Sequence, residues 1–202
     1  MAKLEFFFDC SSPWTYLAFS QIEAVAKRTE ATIVWRPILV GGVFNTVNQS
    51  VYEQRANPVP AKAAYHVKDL QDWARHYGIA INWPSIFPVK SVDAMRGAIV
   101  ADLQGMLPAY AARVFEAYWG EGQDISQEDV LKTIAKEAGL DPNAFWSQVK
   151  SDSIKARLKE NTEDLIARGG FGSPTMFVEG TDMYFGNDRL ELVEAACLRA
   201  RT

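Results

Sequence analysis

The chain has 202 residues, of which 48% are hydrophobic and 23% are charged, as is typical of a globular protein that buries a sizeable core. Its 21 Lys and Arg against 25 Asp and Glu give a formal net charge of −4, which offers no overall attraction to nucleic acid or to an anionic membrane. We therefore set nucleic acid and membranes aside as partners.

The N-terminal segment contains an apolar run of only about four residues before Asp9, which is too short for the apolar region of a signal peptide. No later stretch approaches the roughly 20 apolar residues that a membrane span needs. We predict a cytoplasmic protein, in which Cys10 and Cys197 are free rather than bridged. His66 and His76 lie at no metal-ligand spacing to each other or to the cysteines, so we predict no metal site.

The first elements form a βαβ pattern. Residues 4–8 have the composition of a buried strand, and residues 32–36 form a second strand that Pro37 ends. Between them, apolar residues recur at helical spacing from Pro13, a residue that suits the first position of a helix. A strand, a helix and a strand at this spacing predict that the two strands are parallel.

Helices dominate the middle of the chain. Residues 40–60 contain Gly41, Gly42, several Asn and two prolines, which indicates an irregular segment of the kind that lines a site. A block of about six helices follows, and the pattern then returns to two short strands in a hairpin around Gly180. Asp188 and Glu191 have capping-box spacing at the start of a final helix.

This order of elements predicts an α/β protein with a thioredoxin-like fold and a large all-helical insertion. Residues 1–40 and 170–202 are assigned to the thioredoxin-like domain, and residues 41–169 to the helical insertion domain. In a thioredoxin fold the reactive motif occupies the first strand-to-helix turn. That turn here contains Ser12-Pro13-Trp14-Thr15, which has the form of a Cys-Pro-x-Cys motif with hydroxyls in place of thiols.

Pro174 supports the same fold because it precedes the third strand, where thioredoxin-like proteins carry a cis proline that faces the reactive turn. On its own, Pro174 would be interpreted as a trans proline at the edge of a strand. The two elements together favour the cis proline.

An ordered set of motifs resembles the 2-hydroxychromene-2-carboxylate isomerases, a family that groups with the kappa-class glutathione transferases in the DsbA-like branch of the thioredoxin superfamily. The motifs are Phe8-Asp9, Ser12-Pro13, Tyr16-Leu17, Gly172, Ser173-Pro174-Thr175-Met176-Phe177 and Phe185-Gly186-Asn187-Asp188-Arg189, with YHVKDLQDWARHYG, FPVKSVDAMR and FEAYWGEG in the helical block. The resemblance covers nearly the whole chain. It implies a DsbA-like fold, a homodimer and a role in the catabolism of aromatic compounds.

The resemblance further implies a glutathione-dependent enzyme whose catalytic residue is Ser12. A helix N-terminus carries about half a positive charge and unpaired N–H groups, which together stabilise a thiolate. Because the motif supplies only hydroxyls, the thiol has to come from outside, and Ser12 can donate a hydrogen bond to the glutathione sulfur. Alternatively, Ser12 is only the N-cap of the helix, and the two roles can coexist.

The resemblance also implies the residues that hold the rest of glutathione. Ser173, ahead of cis-Pro174, pairs with the cysteinyl amide, and the γ-glutamyl end lies at Phe185, Gly186, Asn187 and Asp188. Asp188 can accept a hydrogen bond from the ammonium group while N–H groups of the last helix receive the carboxylate. Alternatively, Asp188 and Glu191 are only a capping box.

Substrate contacts are expected from the residues after the second strand and from the insertion. Asn48 and Asn57 match the Asn positions of the family approximately, whereas Lys90 stands where relatives usually have Asn. Lys90 either pairs with a substrate carboxylate or lies in solvent. Trp73, Trp83 and Trp119 could line a pocket for a flat substrate, although core packing is the simpler expectation for each.

Cys10 tests the interpretation, because an exposed thiol beside Ser12 would be a nucleophile or a redox sensor. Alternation with Phe6 and Phe8 predicts that Cys10 points into the core instead, and Cys197 is expected to pack in the last helix.

The leading hypothesis is a glutathione-dependent isomerase of an aromatic or conjugated carboxylate that acts by reversible thiolate addition. The alternative is a kappa-class-like glutathione transferase or peroxidase. A DsbA-like thiol oxidoreductase or peptide-binding relative is a third hypothesis, and the absence of a CxxC pair argues against the oxidoreductase.

Overall fold

Four strands form one mixed sheet in the computed structural model, which describes residues 1–201. The strands are β1 (Lys3–Phe8), β2 (Thr32–Pro37), β3 (Thr175–Val178) and β4 (Asp182–Phe185), in the order β2-β1-β3-β4. The β1 and β2 strands are parallel, as predicted, whereas β3 runs antiparallel to both of its neighbours. The central position of β1 places its C-terminal end, and hence Ser12, beside the start of β3.

The helix α1 (Pro13–Thr29) connects β1 to β2, and α10 (Leu190–Arg199) ends the chain. The helices between β2 and β3 are α2 (Val40–Val47), α3 (Ser50–Ala56), α4 (Pro60–Tyr77), α5 (Val92–Leu103), α6 (Leu107–Phe115), α7 (Glu128–Glu137), α8 (Pro142–Val149) and α9 (Asp152–Ala167). A π-helical turn at Glu116–Gly120 continues α6, and a 3-10 turn at Asn187–Arg189 precedes α10. This order confirms the predicted thioredoxin-like fold with a helical insertion; the division into two domains stays a prediction.

The sequence indicated an irregular segment at residues 40–60, and this prediction was wrong. The structure has the helices α2 and α3 there. Gly41 and Gly42 fall in the first turn of α2, where each costs about 1 kcal/mol of helix propensity relative to alanine. Burial of Val40 and Val43 on the same helix offsets this cost, and Val43 packs with Leu165 of α9. Tertiary packing thus overrides a weak local preference.

The side chains of β1 alternate between two hydrophobic clusters. Phe6, Phe8 and Cys10 lie in the main core, whereas Phe7 packs with Phe177 on the other face of the sheet. The predicted burial of Cys10 is therefore confirmed, and Cys197 is also buried.

The start of α10 differs from the predicted capping box. The helix is preceded by the 3-10 turn, its cap residue is Arg189, and no side chain caps it. Asp188 instead forms a salt bridge with Arg189, so the proposed Asp188–Glu191 box is wrong. Within residues 1–201, no helix combines the length and hydropathy that a bilayer crossing needs.

Candidate active site

Ser12 occupies the predicted turn between β1 and α1. Its backbone is extended, and its Oγ accepts a hydrogen bond from the backbone N–H of Thr15 at 3.3 Å, so Ser12 is the N-cap of α1. The same hydroxyl donates to the carbonyl oxygen of Ser173, also at 3.3 Å. The capping role therefore coexists with a direct contact to the segment before β3.

Ser173 is fixed against this turn by further hydrogen bonds. Its Oγ accepts from the backbone N–H of Asp9 at 3.0 Å and shares a hydrogen bond with Oγ1 of Thr15 at 2.8 Å. The Ser173–Pro174 peptide bond is cis, as predicted. These contacts bring Ser12, Ser173 and Pro174 together, as the sequence interpretation required.

Asp9 is a site residue to which the sequence interpretation assigned no role. It is fully buried, and its Oδ1 accepts from the backbone N–H of Ser11 at 2.9 Å. Its Oδ2 accepts from the backbone N–H of Val40 at 2.9 Å and from Oγ of Ser91 at 3.0 Å. Burial raises the pKa of Asp9, while these hydrogen bonds oppose the shift. An acid directly after the apolar end of a buried strand was the available signal for such a junction.

Neither cysteine has the properties of a reactive thiol. Burial, assisted by the negative charge of Asp9, raises the pKa of Cys10 well above its ordinary value. Burial also raises the pKa of Cys197. Reactive cysteines have a lowered pKa and access to solvent, and these two have neither.

A cavity of about 1020 Å³ adjoins Ser12 and Ser173. Its walls come from Trp14, α2, α3, α4, the segment 83–92 and Phe185 at the end of β4. Most of the lining surface is apolar. Three basic side chains also line it, namely Arg55, His66 and Lys90, and no Asp or Glu of the described chain does so. Arg55 and His66 were not singled out from the sequence.

The structure brings two of the three predicted substrate residues to this cavity. Asn48 and Lys90 line it, and Nδ2 of Asn48 donates to the carbonyl oxygen of Phe171 at 3.0 Å. Asn57 lies exposed at the C-terminal cap of α3 and is not among the lining residues, because the helix turns its position away from the cavity that Arg55 reaches.

The three tryptophans differ in their surroundings, and Trp73 packs against the main core as expected. Trp119 is buried in the core and donates from Nε1 to the carbonyl oxygen of Cys10 at 2.9 Å. Trp83 is 61% exposed and lines the cavity, so the expectation of core packing was wrong for this residue.

The predicted γ-glutamyl segment lies next to Pro174, since the backbone N–H of Gly186 donates to the carbonyl oxygen of Pro174 at 3.1 Å. Gly186 has a φ of 106°, and a Cβ there would lie 2.7 Å from Oδ1 of Asp188, so the turn requires glycine. Asn187 is buried, and its Nδ2 has no hydrogen-bond partner among the described residues. Of the four predicted residues, only Phe185 also lines the cavity.

Metal-binding side chains do not cluster in this chain: residues 1–201 contain no group of three or more His, Cys, Asp or Glu that could hold an ion.

Comparison with known proteins places this geometry in a family. The family model of the DsbA-like thioredoxin domain matches residues 3–197. A 2-hydroxychromene-2-carboxylate isomerase of Pseudomonas putida is 32% identical over 96% of this chain and 93% of its own length. Glutathione S-transferase kappa 1 of Homo sapiens is 27% identical over 94% of this chain and 88% of its own length.

A solved structure of a 2-hydroxychromene-2-carboxylate isomerase has a TM-score of 0.82 to this chain at 31% identity, covering 98% of this chain and 96% of that one. Fold, motif order and sequence identity thus agree over the same residues. The chain belongs to the DsbA-like thioredoxin-domain family and, within it, to the 2-hydroxychromene-2-carboxylate isomerases.

Proposed function

We propose that this protein is a glutathione-dependent isomerase of an aromatic or conjugated carboxylate, in which Ser12 is the catalytic residue that holds the glutathione sulfur as a thiolate. The main observation behind this proposal is that Ser12 lies at the N-terminus of α1 and is hydrogen-bonded to Ser173, while both thiols of the chain are buried. A nucleophilic sulfur at this position therefore has to be supplied by a ligand. The names of the relatives support two parts of the proposal. The isomerases support the type of reaction, and the kappa-class glutathione transferases support the use of glutathione.

The hydroxyl of Ser12 has one proton to donate, and in the free protein it goes to the carbonyl oxygen of Ser173. When the thiolate binds, the hydroxyl rotates and donates to the sulfur instead. The Ser173 carbonyl is then free to accept the cysteinyl N–H of glutathione. The positive end of α1 adds to the stabilisation of the anionic sulfur.

The γ-glutamyl end of glutathione would lie at Phe185, Gly186, Asn187 and Asp188. Nδ2 of Asn187 is a donor without a partner and can serve the ligand carboxylate. Asp188, which is half exposed, can accept from the ammonium group, in competition with its salt bridge to Arg189. Gly186, bonded to Pro174, keeps this segment beside the cysteinyl position.

The proposed chemistry is an addition followed by an elimination. The thiolate forms a C–S bond to a conjugated carbon, and the electron pair of the double bond moves to the conjugated carbonyl. The former double bond is now a single bond and rotates. The electron pair then returns, the C–S bond breaks, and the sulfur leaves as thiolate, so no glutathione is consumed. Covalent catalysis of this kind replaces one high barrier by smaller ones.

The cavity fits the substrate side of the proposal. Its aromatic walls suit a flat ring system, and its lining carries positive side chains without a carboxylate. Asn48 and Lys90 remain proposed substrate contacts from this lining, whereas Asn57 would reach the substrate only after a rearrangement of the end of α3.

A kappa-class-like transferase or peroxidase is the second candidate, because the similarity to the human kappa transferase covers almost the same residues. The same thiolate would then end in a conjugate or in oxidised glutathione. A DsbA-like thiol oxidoreductase has less support, since both cysteines are buried and the DsbA structures at 15–16% identity share the fold alone.

The test is an absorbance assay of 2-hydroxychromene-2-carboxylate with and without glutathione, with the free thiol titrated at the end. Turnover that requires glutathione and leaves the thiol concentration unchanged is the expected result. Net loss of thiol would favour the transferase or peroxidase, and turnover without glutathione would overturn the proposal. The proposal includes a homodimeric cytoplasmic protein, and sedimentation of the purified chain as a monomer would contradict the dimer.

A further inference from the structure

Arg55 occupies an unusual position in the cavity. It lies in the last turn of α3 and lines the cavity, with its Cζ 5.7 Å from the ring centroid of Phe44 and 5.4 Å from that of Phe87. Phe44 belongs to α2, and Phe87 to the segment between α4 and α5. The guanidinium group is therefore held by aromatic rings from two different walls.

The positive charge of Arg55 has no counterion among the described residues. Every other arginine of the chain forms an ion pair within residues 1–201. Arg55 forms none, and no protein acceptor in the described residues receives a hydrogen bond from it. Contacts with ring faces use none of the five N–H donors of a guanidinium, so these donors are available to a ligand.

Lys90 is the competing cation, and it is less well prepared. Like Arg55, it lines the cavity and is exposed, but it makes no ion pair, hydrogen bond or ring contact in the described chain. A free lysine side chain loses rotamer entropy when it is fixed, whereas the rings already restrict Arg55. Only Arg55 offers the planar fork that pairs with both oxygens of a carboxylate.

We propose that Arg55 is the residue that determines specificity for the substrate carboxylate, and that Phe44 and Phe87 orient its guanidinium for a flat, conjugated acid. This inference rests on the proposed function for the identity of the substrate, but it concerns binding and not turnover. It assigns the carboxylate to Arg55 and leaves Lys90 a contribution to the general positive charge of the cavity.

The experiment measures binding of chromone-2-carboxylate and of chromone-2-carboxamide by isothermal titration calorimetry, without glutathione. The unmodified protein is expected to bind the acid at least about tenfold more tightly than the amide, because only the acid forms charge-assisted hydrogen bonds with the guanidinium. Arg55→Met should remove this preference, and Arg55→Lys should retain part of it. Arg55 is exposed on a short helix, so circular dichroism should show both variants folded.

Two further variants separate the role of Arg55 from that of charge alone. Lys62→Met removes the same charge from an exposed residue of α4 that does not line the cavity, and the preference should not change. Lys90→Met should keep most of the preference. A preference that survives in Arg55→Met, or that is lost in Lys90→Met instead, would overturn the proposal, as would equal binding of acid and amide by the unmodified protein.

These outcomes are independent of the test of the proposed function. A protein that binds the acid through Arg55 but does not turn over 2-hydroxychromene-2-carboxylate would refute the isomerase assignment alone. A glutathione-dependent isomerase without the preference would refute the role of Arg55 alone.

Discussion

Ser12 and Ser173 are hydrogen-bonded across the candidate site: the hydroxyl of Ser12 donates to the carbonyl oxygen of Ser173 at 3.3 Å. The bond is long for an O–H donor, so releasing it costs less than the roughly 1 kcal/mol of an average hydrogen bond. A ligand that offers both a thiolate and an amide N–H can therefore replace this one hydrogen bond with two. The hydroxyl of Ser12 donates a charge-assisted bond to the thiolate, and the carbonyl oxygen of Ser173 accepts a regular bond from the amide N–H.

Ser12→Ala is expected to lower kcat for the glutathione-dependent reaction by about 10²- to 10³-fold. This is the usual effect of removing one hydrogen-bond donor to a reacting anion, which here is the glutathione thiolate. The glutathione KM should change only modestly, because most contacts to the tripeptide come from other residues. Loss of the N-cap should cost about 1 kcal/mol of folding stability, so kinetics are measured well below the Tm.

Ser20→Ala is the matched control for this variant. It removes a hydroxyl from the same helix, where Oγ of Ser20 donates to the carbonyl oxygen of Leu17 away from the cavity. The kcat of Ser20→Ala should stay within about twofold of that of the unmodified protein. The hydrogen bond that is lost is away from the ligand, so it contributes little to catalysis. An unchanged kcat in Ser12→Ala would remove Ser12 from the mechanism.

Thiol labelling tests whether sulfur has to come from outside. Because burial raises the pKa of both Cys10 and Cys197, neither should react with an aromatic disulfide reagent in the native protein, and both should react after unfolding. Reagent treatment of the native chain, followed by its removal, should leave glutathione-dependent activity intact. Rapid labelling of a native thiol, accompanied by loss of activity, would instead favour a thiol chemistry of the chain itself.

The sequence predicted the thioredoxin-like core and the junction of Ser12 with cis-Pro174 because both depend on local signals, namely strand alternation, a Pro at the start of a helix and a Pro before a strand. It did not predict α2, since the packing of Val43 on α9 brings together residues far apart in the chain. Arg55 was missed for the same reason: its aromatic partners lie in separate elements, and no spacing along the chain reveals them.

Asp9→Asn is expected to destabilise the protein by about 1–3 kcal/mol, the cost of leaving a buried donor without an acceptor. The carboxylate accepts from two backbone N–H groups, of Ser11 and Val40, and from the hydroxyl of Ser91. An amide can satisfy the hydroxyl by donating to it, but its NH2 group then faces the N–H of Val40. Urea denaturation measures the loss, and Ser91→Ala, which removes one donor only, should cost less.

The pH dependence of stability provides a second readout for Asp9. Burial raises the pKa of its carboxyl in the native state, so the native protein binds more protons than the unfolded chain above the ordinary Asp pKa. The contribution of Asp9 to stability is largest at low pH and declines as pH rises through the native pKa. Asp9→Asn should remove this decline, and a variant whose pH profile parallels that of the unmodified protein would show that Asp9 does not titrate in this way.

Glu5 should have the opposite effect on the pH dependence of stability. Its side chain is 2% exposed on the face of the sheet opposite the main core, where Oε1 accepts from Nη2 of Arg36 and Oε2 from Nη2 of Arg168, both at 2.8 Å. Burial alone would raise the pKa of Glu5, but the hydrogen bonds and charges of Arg168 and Arg36 outweigh it and lower the pKa from 4.5 to about 2. The unfolded chain therefore binds more protons than the native protein between these values.

It follows that the stability contributed by Glu5 is present above pH 4.5 and is lost as the pH falls toward 2. The loss is on the order of 2–3 kcal/mol, since each pKa unit corresponds to about 1.4 kcal/mol and both arginines retain some contact with solvent. Glu5→Gln should unfold at lower urea concentration at pH 7, because the half-buried guanidinium groups of Arg36 and Arg168 lose their shared carboxylate, and its stability should fall less steeply between pH 4.5 and 2. Glu194→Gln removes one carboxylate from the exposed pair with Arg28 and should cost less than about 1 kcal/mol. If the two variants lose equal stability at pH 7 and keep the same acid dependence, the pairing of Glu5 with Arg36 and Arg168 does not stabilise the sheet.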